Sequence, residues 1–109
     1  MITFVKKVRT DGSFCGKCVD VENRLIESGN MSLIDRVVIA DESDPESEGM
    51  RLAATHSVSS APFFIVEREQ QTQIYTVYFK FIRDIAKENV TQEQEASELA
   101  DQFPELDLL

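Results

Sequence analysis

The stretch "SFCGKC" (residues 13–18) holds the only two cysteines of the chain, Cys15 and Cys18, with two residues between them. That spacing leaves three uses open: a redox pair, half of a metal site, or two unrelated thiols. What flanks it narrows the choice. Before it, "ITFVKKV" (2–8) begins apolar and β-branched and reads as a first strand, and "TDGS" (10–13) is turn-forming. After it, Cys18, Val21 and Leu25 recur at helical spacings, Val19 and Ile26 stand a heptad apart, and "SGN" (28–30) ends the element. Cys15 therefore stands at the start of an amphipathic helix. Free amides and the helix dipole put roughly half a positive charge there, which favours a thiolate over a thiol. Lys17 adds a cation, Gly16 permits a tight backbone, and Phe14 offers an apolar surface beside the first sulfur. Two intervening residues bring the sulfurs within bonding reach. A thiolate at Cys15 can then attack a partner disulfide, and Cys18 can resolve the mixed disulfide.

Zinc is the main competing use. A structural zinc site takes four ligands, and the chain offers two cysteines and one histidine, His56, so four thiolates would need a dimer, as would a shared iron–sulfur cluster. His56, at the expected end of a second helix, reads as structural, and no metal ligand is assigned.

Further along, "LIDRVVIAD" (33–41) is a second strand whose near-continuous apolar run implies cover on both faces. Asp44 followed by Pro45 signals a helix start, as N-cap and first helical residue, and the helix should run to about His56. "SVSSAPFFIVE" (57–67) turns into a third strand at Phe63. "TQIYTVYFKF" (72–81) alternates as a fourth, and the loop "REQQ" between them is short enough for a hairpin. Ile82, Ile85 and Ala86 look helical. Ala96, Leu99, Ala100 and Phe103 follow a helical stripe after a possible capping box from Thr91 to Gln94, and Pro104 ends it. Strand, helix, strand, helix, strand, strand, helix packs most economically as one mixed sheet flanked by helices.

At 109 residues, with 42% apolar and 28% charged side chains, the chain fits one globular domain. The expected division is a core over about 2–89 and an acidic helical extension over about 91–109. No apolar run approaches the roughly 20 residues of a membrane span, and "MITFVKKV" lacks the order of a secretory signal, so the expected location is cytoplasmic. The net charge is −9, and from Asp84 onward eight acidic residues accompany one lysine. That field and the lack of a basic stripe argue against nucleic acid and anionic membranes as partners.

Taken together, "FCGKC" after a first strand and "VSSAPFFIV" before a third resemble the thioredoxin/glutaredoxin superfamily from about Ile2 to Asn89. The resemblance implies a thioredoxin-like α/β fold, a cis Ala61–Pro62 bond packed against the cysteines, and a backbone at Ala61 that hydrogen-bonds an extended substrate. It implies a dithiol–disulfide oxidoreductase with Cys15 and Cys18 catalytic and Phe14, Gly16, Lys17, Ala61 and Pro62 meeting the substrate. No cofactor beyond the Cys15–Cys18 couple is implied. The expected partners of a monomer are a protein disulfide and a reductase or thiol donor. Where glutaredoxins typically carry a glycine pair that seats glutathione, this chain reads "FKFIRD" (79–84); where thioredoxins have tryptophan and proline, it has Phe14 and Lys17. A binding module with a regulatory or metal-bridged cysteine pair, and a glutathione-dependent glutaredoxin, are the alternatives.

Overall fold

The computed structural model describes residues 1–87, 93–94 and 96–98. Four strands, β1 (Ile2–Val8), β2 (Arg36–Asp41), β3 (Phe63–Arg68) and β4 (Gln71–Tyr75), form one sheet in the order β2-β1-β3-β4. β1 and β2 are parallel, and β3 runs antiparallel to both β1 and β4. The helices are α1 (Gly16–Glu27), α2 (Glu48–Thr55) and α3 (Tyr78–Phe81). This is the mixed sheet with flanking helices of a thioredoxin-like α/β fold. The chain divides into two compact units, 1–76 and 77–109.

Alternation along β1 sorts the first unit. Val5 belongs with Val38, Ala40, Phe63 and Ile65 in a core against which Met50, Leu52 and Ala53 of α2 pack. Phe4, of opposite parity, stacks on Phe64 at 5.1 Å between ring centroids. The same alternation sends Lys6 to the α1 side, where its ammonium meets Glu22 at 3.0 Å, and Lys7 to the other. α1 buries Cys18, Val21 and Leu25.

The strand, turn and helix expected around the cysteines stand where the sequence put them: β1 covers 2–8, Gly12 takes a left-handed φ of 89°, and Gly29 closes α1 at φ 78°. Between β3 and β4 the turn is tighter than "REQQ" suggested. Glu69 and Gln70 both have positive φ, 49° and 66°, the two-residue geometry whose twist suits a hairpin.

Three expectations are corrected. β2 is covered on one face only: Val38 and Ala40 are buried, but Val37 and Ile39 remain 42% and 37% exposed. α2 starts one turn after Asp44–Pro45. The Asp44 carboxylate accepts the Glu46 N–H at 3.0 Å and the Asp44 carbonyl accepts the Ser47 N–H at 3.0 Å, so these residues form a turn and Ser47 becomes the N-cap. The alternating run 72–81 is a strand only to Tyr75; Tyr78–Phe81 is helical and continues as a wider π turn over Ile82–Ala86. Tyr78, Phe81, Ile82 and Ile85 follow i, i+3, i+4, i+7, a helical stripe that alternation would split between the two faces of a strand, and the Glu98 carboxylate meets the start of that helix. It accepts the N–H of Tyr78 and, at 2.9 Å, that of Phe79, supplying acceptors to a helix start whose amides lack partners. Of the expected stripe, Ala96 is exposed, and Leu99, Ala100 and Phe103, with the expected cap Thr91 and the terminating Pro104, lie outside the described residues.

Candidate functional site

The cysteines sit where β1 gives way to α1. Past Val8 the chain folds back in a turn: Gly12 N–H donates to Arg9 O at 2.9 Å and Arg9 N–H to Ser13 O at 2.7 Å, and Phe14 bridges to Val8. The Asp11 carboxylate organises that turn, accepting both the N–H (2.9 Å) and the hydroxyl (2.6 Å) of Ser13. These contacts, the hydroxyl first, hold the Asp11 carboxyl below the ordinary carboxylate range. The turn delivers Cys15 to the N-cap of α1 with extended backbone angles.

Cys15 and Cys18 are joined by a disulfide, their Cα atoms 5.2 Å apart. Two fixed amides point at the sulfurs. Cys18 N–H donates to Cys15 Sγ at 3.1 Å, a cap made by sulfur instead of oxygen. Lys7 N–H donates to Cys18 Sγ at 3.3 Å, and Lys7 O accepts Cys15 N–H at 3.1 Å. The last residues of β1 thus grip both cysteines. Both cysteines are buried, Cys18 at 1% exposure and Cys15 at 7%, so Cys15 is the less deeply covered of the two.

Around them, Phe14 is 43% exposed with the Lys6 ammonium 4.6 Å from its ring centroid, and Lys6, Phe14, Val19 and Glu22 line a small depression beside Cys18. Gly16 is the first helical residue, with open space where a Cβ would be. Lys17 is half-buried. The Ala61–Pro62 bond is cis, with Pro62 buried and Ala61 half-buried. Ala61 and Lys7 line one groove, so the strand residue that grips the cysteines also reaches the segment before Pro62. Sequence reasoning passed over Lys6 and Lys7. Two lysines ending an otherwise apolar strand, directly before the cysteine turn, were the available signal. His56 is the C-cap of α2, its N–H donating to Leu52 O at 3.0 Å. Among the described residues no group of three or more His, Cys, Asp or Glu side chains is arranged to hold a metal ion, and no helix is long and apolar enough to cross a membrane.

No protein-family model matches the chain, and no curated protein sequence does. Among solved structures it is similar to a crystal structure of thioredoxin f2 from Chlamydomonas reinhardtii, with 15% identity over 81% of this chain and 82% of that one and a TM-score of 0.47. At that distance the chain's own strand order, cysteine turn and cis proline carry the description of its fold.

Proposed function

We propose that the protein is a thiol–disulfide oxidoreductase that exchanges its Cys15–Cys18 dithiol with a disulfide in a protein substrate. The observation that carries this reading is the pair of amides aimed at the sulfurs, from Cys18 to Cys15 Sγ and from Lys7 to Cys18 Sγ. Donors fixed by backbone stabilise negative charge on sulfur without rearranging, and the α1 dipole adds to them.

In the reduced protein the Cys15 thiolate attacks one sulfur of the substrate disulfide. A new S–S bond forms, the old one breaks, and the first substrate thiolate leaves and takes a proton. Cys18, deprotonated in turn, attacks Cys15 Sγ, releases the second substrate thiolate and closes the Cys15–Cys18 disulfide. The protein has lost two electrons and the proton of Cys18; the substrate has gained two electrons and two protons, the second proton taken up from water by the second thiolate. A dithiol or thiol reductant returns the couple to its starting state, so no further cofactor is needed. Phe14, Gly16 and Lys17 flank the attacking sulfur, and the backbone at Ala61, before Pro62, offers an extended substrate an edge to pair with. The protein would act as a monomer on partners in the cytoplasm.

The test is insulin-disulfide reduction with dithiothreitol as donor. The wild-type protein accelerates it, Cys15→Ser abolishes the acceleration, and Cys18→Ser traps a mixed disulfide at Cys15. A wild-type rate equal to that of dithiothreitol alone would sink the proposal.

A further inference from the structure

Beyond disulfide exchange, and without resting on it, we infer that the outer edge of β2 takes up one extended segment of a partner protein, aliphatic at alternate positions and basic at its N-terminal end. β2 ends the sheet on its side, in the order β2-β1-β3-β4. Its backbone groups alternate in direction. Glu42 N–H donates to Val8 O at 2.9 Å, whereas Asp41 N–H turns away from β1 to the Ser47 hydroxyl at 3.0 Å. Carried back along the strand, that alternation leaves the N–H and C=O of Val37 and Ile39 facing outward, with no described strand beside them.

Such an edge is a template for a further strand, and proteins commonly blunt one with charge, proline or a bulge. Val37 to Ala40 include no charged residue and no proline, and they pair with β1 residue for residue, without a bulge. The side chains extend the template. Val37 and Ile39, opposite Phe4 and Lys6 of β1, are exposed on the side of the sheet where Lys6 meets Glu22 of α1, and α1 leaves Val19 and Ile26 exposed as well. A strand added at this edge covers Val37 and Ile39 with every second side chain.

Charge selects the occupant. Residues 41–48 hold five carboxylates, those of Asp41, Glu42, Asp44, Glu46 and Glu48, and no basic side chain. Lys7 and Arg36 meet Glu42 and Glu48, while Asp41, Asp44 and Glu46 have no ion pair among the described residues. A segment antiparallel to β2 brings its N-terminal end to these carboxylates, so lysine or arginine belongs there. A second copy of the chain would instead add its own net charge of −9.

The probe is the blocked peptide Lys-Lys-Val-Thr-Val-Thr, which in antiparallel register sets its valines opposite Ile39 and Val37. Nuclear magnetic resonance of the labelled protein should show saturable shifts and slowed hydrogen exchange at the Val37 and Ile39 amides, with those of Val38 and Ala40 moving less. Replacing both lysines of the peptide by glutamate should weaken binding about tenfold. The double variant Val37→Thr with Ile39→Thr keeps β-branched side chains in the strand and should weaken binding of the lysine peptide about tenfold as well. Oxidised and reduced protein should bind alike, so failure of exchange and failure of this edge are read separately. No binding up to about 1 mM, shifts confined to β4, or equal affinity for the lysine and glutamate peptides would overturn the inference. So would sedimentation showing a dimer that protects the same amides with no peptide present, which would make a second copy the occupant.

Discussion

Two strand-to-helix junctions leave the same end of the sheet, and each begins with the same local device. After β1, Asp11 accepts the N–H and hydroxyl of Ser13 at 2.9 and 2.6 Å; after β2, Asp41 accepts those of Ser43 at 2.9 and 2.7 Å. From there they diverge. The first junction ends at Cys15, whose sulfur caps α1, with Gly16 standing in open space. The second ends at Ser47, whose hydroxyl accepts the Asp41 N–H at 3.0 Å rather than capping α2. Gly49 then presses on the sheet so closely that a Cβ would lie 2.4 Å from Ala40 N. The first junction leaves room for chemistry, and the second spends its tightest contact on packing. Glu48, at the start of α2, is also ion-paired to Arg36 at the start of β2, the outer strand on that side of the sheet.

The contrast breaks most visibly at the glycines. Gly49→Ala must displace backbone at Ile39 and Ala40, so it should destabilise by about 3 kcal/mol and lower the melting temperature by roughly 10–20 °C. Gly16→Ala meets nothing and should change stability by less than about 0.5 kcal/mol. Thermal melts of the two variants side by side decide it. Equal losses would show that the two junctions are packed alike.

A smaller effect sharpens what the junctions share. Hydrogen bonds from Ser13 and from Ser43, hydroxyl first, hold the Asp11 and Asp41 carboxyls below the ordinary carboxylate range. A carboxyl lowered by folding adds stability that is fully present above its unfolded-state value and is lost as pH falls through the lowered folded value. In an acid titration followed by nuclear magnetic resonance, the Ser13 and Ser43 amides should therefore shift with midpoints below that of an unfolded Asp-x-Ser peptide. Midpoints at or above the peptide's would remove the hydrogen bonds from the account.

How much of this was legible follows from where the deciding contacts lie. The β1–α1 junction is written within a few residues: turn formers at 10–13, a cysteine at N-cap, a helical stripe behind it. So is β3, announced by its apolar run after Pro62. The start of α2 was misplaced because Asp44–Pro45 signals a turn as readily as a helix, and the hydrogen bonds of Asp44 to Glu46 and Ser47 make it a turn that leaves Ser47 as N-cap. The end of β4 was overrun because alternation was carried past Tyr75 to Phe81 although Tyr78, Phe81 and Ile82 already keep helical spacing, and the carboxylate that meets the helix start comes from Glu98, twenty residues beyond Tyr78. The exposed face of β2 escaped notice because an apolar run states what a strand tolerates, not what the fold lays over it. At the site, the cysteines, Phe14 and the Ala61–Pro62 bond could be read from motifs. The grip of the Lys7 backbone on both sulfurs is a product of tertiary placement.

All of this converges on the state of one sulfur. The direct measurement is the rate at which iodoacetamide alkylates each cysteine of the reduced protein across a pH series, read by peptide mapping. If fixed amides stabilise the thiolate, Cys15 reacts first and its rate reaches half-maximum well below pH 8, under the ordinary thiol value of about 8.5. Equal rates at Cys15 and Cys18, both rising only near that ordinary value, would contradict the account.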